Sequence, residues 1–200
     1  MTRVTIFDYG AGNLHSLAKA LSRDGVSPRV EADPLAALDT DVLVLPGVGN
    51  FAQAAERLAP GRDTMRDAIR RGLPTLGVCL GMQLLFESSA EGPGRGLGII
   101  PGRVTRVAAA RVPHIGWNSI DETCDRLFSA APLGRAYFAN SFACRPASDA
   151  TVIAWTTHEH DRFPAAVRVG RTVGVQFHPE KSSAAGVAFV RAVLAEVARC

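Results

Sequence analysis

The sequence predicts an α/β fold: a mostly parallel central sheet flanked by helices, with antiparallel strands in the C-terminal half. In the first half, short β-branched or Leu-rich runs alternate with amphipathic stretches, the pattern of βαβ units. In the second half, short strand-like runs are separated by turns, which favours antiparallel pairing. A final segment carries apolar residues at helical spacing and closes the chain.

Strand-like runs stand at Val4–Asp8, Val42–Leu45 and Thr75–Val78. Helical stretches lie between or after them, at about Leu14–Asp24, Phe51–Leu58, Thr64–Arg71 and Met82–Glu87. Further strands are expected at Arg103–Val107, Ala136–Phe142, Thr151–Thr156, Ala165–Val169 and Thr172–Phe177, then a helix over Ala184–Ala198. The Gly/Pro-rich stretch Glu91–Gly102 reads as a loop inside one domain, not a boundary. With 200 residues and no repeat or linker, the expectation is a single domain over 1–200. At 47% hydrophobic, the chain can bury a core without staples.

The net charge is +3 and the pI near 8.9, yet the basic residues are scattered singly, with Arg70-Arg71 the sole adjacent pair. A nucleic-acid partner needs clustered basic charge, so none is expected. The apolar runs are strand-length, which argues against a membrane span. Met1 leads directly into a strand pattern without the apolar segment of a signal peptide, so the expected location is cytoplasmic. Cys79, Cys124, Cys144 and Cys200 show no CxxC spacing, which suggests free thiols and neither a zinc site nor a redox dithiol.

The sharpest local signal is Pro74-Thr75-Leu76-Gly77-Val78-Cys79-Leu80-Gly81-Met82-Gln83. A strand ends at Cys79 and a helix begins at once. Gly77 and Gly81 flank the cysteine at the spacing of a nucleophile elbow. A tight strand-to-helix turn needs neighbours without side chains, and the helix start aims N–H groups at the sulfur. A small buried Cys in a Gly-flanked turn fits the same segment.

A second signal is Val173-Gly174-Val175-Gln176-Phe177-His178-Pro179-Glu180-Lys181-Ser182. Pro179 disfavours the helical region for His178, holding it extended. His178 and Glu180 then point to one side, so the carboxylate can bond one ring nitrogen and select the tautomer. A strand-end His capped for stability is the alternative. Cys, His and carboxylate together are the parts of an acyl-transfer site. The third segment is Val42-Leu43-Val44-Leu45-Pro46-Gly47-Val48-Gly49-Asn50, a buried strand and a glycine turn. Gly47, Val48 and Gly49, with the N–H of Leu80, can supply an oxyanion hole, although an ordinary strand-to-helix turn reads the same way.

Taken in order, Pro-Gly-Val-Gly, Gly-Val-Cys-Leu-Gly-Met-Gln and Gln-Phe-His-Pro-Glu-Lys-Ser resemble the class I (triad) glutamine amidotransferases, a flavodoxin-like α/β family. Three more blocks resemble the glutaminase subunits of imidazole glycerol phosphate synthases, of histidine biosynthesis. They are Asp8-Tyr9-Gly10-Ala11-Gly12-Asn13-Leu14-His15-Ser16, Pro113-His114-Ile115-Gly116-Trp117-Asn118 and Tyr137-Phe138-Ala139-Asn140-Ser141-Phe142. The likeness covers nearly the whole chain. It implies a Cys79-His178-Glu180 triad that hydrolyses glutamine and needs no cofactor or metal. Ammonia would pass through a tunnel into a (β/α)₈ cyclase subunit, the partner in a heterodimer. The cyclase would release imidazole glycerol phosphate and an aminoimidazole carboxamide ribotide. The resemblance further implies that Gln83 and the backbone around Asn140, Ser141 and Phe142 hold L-glutamine, with Glu91 a weaker candidate for its α-amino group. Gly10 to Asn13, Trp117 and Lys181 would face the cyclase. The family usually has His-Ser-Tyr where this chain has Asn140-Ser141-Phe142, a mild change if main-chain groups bind glutamine.

Gly10-Ala11-Gly12 lacks the third glycine and the ribose acid of a dinucleotide site. His158-Glu159-His160 reads as a polar turn between strands, and Leu84-Leu85-Phe86 as core. Competing functions are the glutaminase of pyridoxal phosphate synthesis, a stand-alone γ-glutamyl hydrolase and a catalytically dead regulatory subunit. The first carries Gly-Gly-Glu-Ser where Pro46–Gly49 stand, and the last usually loses a triad member.

Overall fold

The computed structural model describes residues 2–10, 14–22 and 25–197. Its main sheet has seven strands. Strands β1 (Thr2–Phe7), β2 (Val26–Glu31), β3 (Val42–Leu45) and β4 (Thr75–Val78) belong to it. Helix α1 (His15–Leu21) follows β1, α2 (Phe51–Leu58) and α3 (Arg62–Arg70) follow β3, and α4 (Leu80–Gln83) follows β4. Next come β5 (Ser88–Ser89), β6 (Gly102–Arg106), β7 (His114–Ser119), α5 (Arg126–Ala130), β8 (Arg135–Asn140) and β9 (Phe142–Pro146). The chain returns to the main sheet through β10 (Val152–His158), β11 (Asp161–Val169) and β12 (Thr172–Val175), and closes with α6 (Ser183–Val197).

Across the main sheet the order is β2-β1-β3-β4-β12-β11-β10. The first five of these strands are parallel and doubly wound in the flavodoxin-like order, while β10, β11 and β12 pair antiparallel. Successive strand residues face opposite ways, so Val42 and Val44 pack in one core with Leu17, Leu21, Phe189 and Val193. Leu43 and Leu45 pack in the other, with Phe51, Leu58, Met65 and Ile69 of α2 and α3. Leu84, Leu85 and Phe86 are fully buried there, as expected. Two small sheets, β5-β6-β9 and β7-β8, flank the main one.

Several elements differ from the sequence expectation. The helix expected at Met82–Glu87 is the single turn Leu80–Gln83. The loop at 91–102 takes the carbonyls a longer helix would use: Leu97 N–H donates to Leu84 O at 2.7 Å and Ile99 N–H to Leu85 O at 2.8 Å. The strand expected over Ala136–Phe142 is two strands in two sheets, broken at Ser141, whose carbonyl accepts from Val107 N–H. Strand β2 gives no strand signal in the sequence because it is an edge: Pro28 lacks a donor and its residues are largely solvent-facing. Strand β7 and helix α5 were also unforeseen, being short and without a clear apolar period. Asp24 and Ala198, at the ends of two expected helices, lie outside the described residues.

Candidate active site

Three loops at the carboxyl ends of β3, β4 and β12 converge, the edge where open α/β sheets bind ligands. The β4 turn is the tightest. Cys79 has φ 47° and ψ −102°, a conformation that L-residues rarely hold. Its neighbours explain why they carry no side chain. A Cβ on Gly77 would stand 2.7 Å from the Gly81 backbone, and one on Gly81 would stand 1.9 Å from the Leu45 carbonyl oxygen. The turn thus exists because two backbones touch where side chains would sit. Cys79 N–H is held by Val175 O at 2.7 Å, and the residue is 6% exposed.

From β3 the chain turns at Gly47. A Cβ there would lie 2.9 Å from His178 Cε1 and 3.1 Å from Cys79 Cβ, so only glycine brings this backbone against both. Gly49 has φ +108°, and Asn50 caps α2 by accepting from Gln53 N–H at 2.9 Å. Glu91 joins the same helix start, its Oε2 accepting from Phe51 N–H at 2.8 Å.

His178 is extended, φ −101° and ψ 95°, and Pro179 opens a single 3-10 turn over Pro179–Lys181. Its backbone is fixed twice: His178 N–H donates to Tyr137 O at 2.8 Å, and Ser182 Oγ–H donates to His178 O at 2.6 Å. Ser182 Oγ also accepts from Tyr137 N–H at 2.9 Å. On the ring, Nδ1 meets Glu180 Oε1 at 2.8 Å, with both side chains almost wholly buried. That leaves Nε2 for the sulfur side. Burial works against charging this imidazole. The charge and hydrogen bond of Cys79, with Glu180 behind, overcome it and raise the pKa to about 10. His178 therefore rests as an imidazolium at neutral pH.

A cavity of about 210 Å³ opens beside the sulfur. Gly47, Gly49, Cys79, Leu80, Gln83, Glu91, Asn140, Ser141 and Phe142 line it, with Ala139. Of the residues expected at the oxyanion hole, Val48 does not line the cavity and is half-buried beside it. Gln83 Nε2 donates to Phe142 O at 3.1 Å, and Asn140 Nδ2 donates to the same oxygen at 3.1 Å. Asn140 Oδ1 is buried without a partner. Sequence reasoning passed over Ala139, Ser182 and Gln176. Gln176 is fully buried with Nε2 3.5 Å from Cys79 Sγ, and a lone polar residue between Val175 and Phe177 was the available signal.

The residues expected at a partner surface are spread over exposed ground. Gly10 is exposed, Trp117 is 47% exposed and packs edge-on to Tyr137, and Lys181 is exposed beside Glu180. Asn13 lies outside the described residues. In the His158-Glu159-His160 segment, His158 stacks on His114 and bonds Arg111 O. Among the described residues no helix is long and apolar enough to cross a membrane.

Residues 5–194 match the family model for glutamine amidotransferase class-I. The chain is 44% identical over 196 residues to the imidazole glycerol phosphate synthase subunit HisH of Pyrococcus furiosus, covering 96% of this chain and 97% of that protein. The namesake of Thermus thermophilus is 42% identical over 193 residues, covering 94% of each chain. Among solved structures, a glutamine amidotransferase superposes with a TM-score of 0.76 at 20% identity, covering 98% of this chain and 99% of that one. Another, from Thermotoga maritima, gives a TM-score of 0.72 at 16% identity over 100% and 99% of the two chains, a likeness of fold.

Proposed function

The chain belongs to the glutamine amidotransferase class-I family, and we infer from that premise that it is the glutaminase subunit of an imidazole glycerol phosphate synthase. It acts in histidine biosynthesis as one cytoplasmic domain beside a cyclase subunit. The observation that carries the chemistry is Cys79 on the cavity wall, with His178 against its sulfur and Glu180 on Nδ1 of that ring, drawn from the ends of two strands.

With His178 already protonated, the sulfur attacks the side-chain amide carbon of glutamine as an anion paired with an imidazolium. The tetrahedral oxyanion faces N–H groups of the Gly47–Gly49 turn and of Leu80. His178 Nε2–H passes its proton to the amide nitrogen, ammonia leaves, and a γ-glutamyl thioester remains. Water then attacks the thioester, His178 takes its proton, and glutamate departs as the sulfur anion returns. Glu180 fixes the tautomer and offsets the imidazolium charge through Nδ1. No step uses a cofactor, a metal, a membrane or nucleic acid.

Glutamine lies against Gln83, Glu91 and the main chain at Asn140, Ser141 and Phe142. The Asn140 side chain turns to the Phe142 carbonyl, which supports a bracing role for it and main-chain recognition of substrate. The family's usual His at this position is therefore replaceable. Ammonia enters the cyclase across a surface that includes Gly10, Asn13, Trp117 and Lys181. Exposed Ile115 and Trp117 on β7 support apolar docking there, since large exposed side chains in one strand mark contact surfaces.

In the complex with cyclase, Cys79→Ala should abolish glutamine-dependent synthesis and leave synthesis from ammonium salts intact. Undiminished glutamine-dependent activity would exclude Cys79 as nucleophile. Full glutamine turnover by the isolated wild-type chain would favour a stand-alone hydrolase.

A further inference from the structure

The Cys79 sulfur has a neighbour besides His178. Gln176 follows β12, where Val175 pairs with Val78 of β4, so the next residue in each chain stands side by side. Gln176 is fully buried and its backbone N–H is anchored to Ala165 O at 2.9 Å. Its side chain spans two groups: Nε2 stands 3.5 Å from Cys79 Sγ, and Oε1 stands 3.5 Å from Gln83 Nε2.

Which end of the amide faces the sulfur is a question of polarity, and the network answers it. Phe142 O is a carbonyl and can only accept, so the Gln83 atom 3.1 Å away is the NH₂. The second N–H of that group then requires an acceptor, which is Gln176 Oε1. That leaves Gln176 Nε2–H for the sulfur. One backbone carbonyl at the cavity wall thus sets the direction of every bond up to the nucleophile.

Resting on the glutaminase reading, we propose that Gln176 is a catalytic donor to the Cys79 sulfur, its amide oriented from the Phe142 carbonyl through Gln83. A buried N–H aimed at sulfur stabilises the anion over the thiol and is oriented before substrate arrives. The other ionisable groups around the sulfur come from different elements: His178 with Glu180 behind it, Cys144 on β9, and Glu91 across the cavity. None of them replaces the donor that Gln176 supplies from β12.

The test is the pH dependence of Cys79 alkylation by iodoacetamide in the full chain, followed on the Cys79 peptide by mass spectrometry. Gln176→Met keeps length and volume but removes the donor. It should slow alkylation at neutral pH by about tenfold and move the profile to higher pH, since hydrogen bonds to charged groups are the stronger ones. In complex with cyclase, kcat for glutamine should fall by a similar factor with KM within about twofold, since the ionised fraction of the nucleophile drops while the groups that hold glutamine are untouched. A folded Gln176→Met protein with wild-type alkylation overturns the proposal. Should that variant fail to fold by circular dichroism, Gln176→Glu retains the shape and the acceptor for Gln83. It should shift the profile the same way, and a wild-type profile overturns the proposal equally. Alkylation needs no glutamine turnover, so a wild-type complex without glutaminase activity would sink the functional reading alone.

Discussion

His178 and His114 are buried alike, at 3% and 4% exposed, yet their imidazoles are driven in opposite directions. His178 sits at the end of the main sheet between a sulfur and a carboxylate and is raised to about 10. His114 sits on the small β7-β8 sheet, stacked at 4.1 Å on His158 and at 5.0 Å on Phe138. Burial, then the charge of His158, lower it to about 4, and the Asn140 side-chain carbonyl oxygen, which can accept only from a protonated ring, opposes them in part. Desolvation disfavours the charged ring in both places. The sign is decided by whether the fold supplies negative charge or another imidazole. A buried histidine is thus a charged ring in one region and a neutral packing ring in the other.

The contrast breaks most visibly at Glu180. Glu180→Gln should lower glutamine turnover by about 10³–10⁴, the cost of losing the carboxylate that orients a catalytic imidazole. His114→Gln, paired with Asn140 across β7-β8 and outside the cavity lining, should leave kcat within about tenfold. Steady-state ammonia release in the presence of cyclase measures both, and equal losses would erase the distinction between the two rings.

A smaller effect appears in stability against pH. His178 binds its proton more tightly folded than unfolded, so its contribution is complete below about 6.5, the ordinary value, and is lost as pH rises through about 10. Thermal midpoints of the wild type should therefore fall between pH 7 and 10 more steeply than those of His178→Gln. His114 has the reverse sign. Its contribution is present above about 6.5 and is lost as pH falls through about 4, so His114→Gln should flatten the acid side instead. Matching slopes in variant and wild type would refute the assignment.

The smallest effect concerns the source of His114's displacement. His158→Gln removes the charge of the second ring but not the burial, which is the larger cause. The His114 titration followed by NMR should rise from about 4 and remain below 6.5. A return to 6.5 would make His158 the dominant cause.

Much of this site was legible in the chain. Gly77, Cys79 and Gly81 announce a turn that only unsubstituted neighbours permit, and the contacts a Cβ would make there bear that out. The His178-Pro179-Glu180 spacing fixes a short-range geometry that the 2.8 Å contact realises. Less visible were the end of α4, the break at Ser141 and the part of Gln176. Each depends on a group far away in sequence: the 91–102 loop for the helix, Val107 for the strand break, Cys79 for the amide.

By itself the sequence determined the local sterics and periods: glycine turns, alternating strands, a proline-held histidine and the order of blocks that marks the family. The tertiary structure alone decided which polar groups face one another and which way each proton shifts. The reason is that backbone preference is a property of a few consecutive residues. The charge of a buried imidazole, and the direction of a buried amide, are set by neighbours brought together through sheet register.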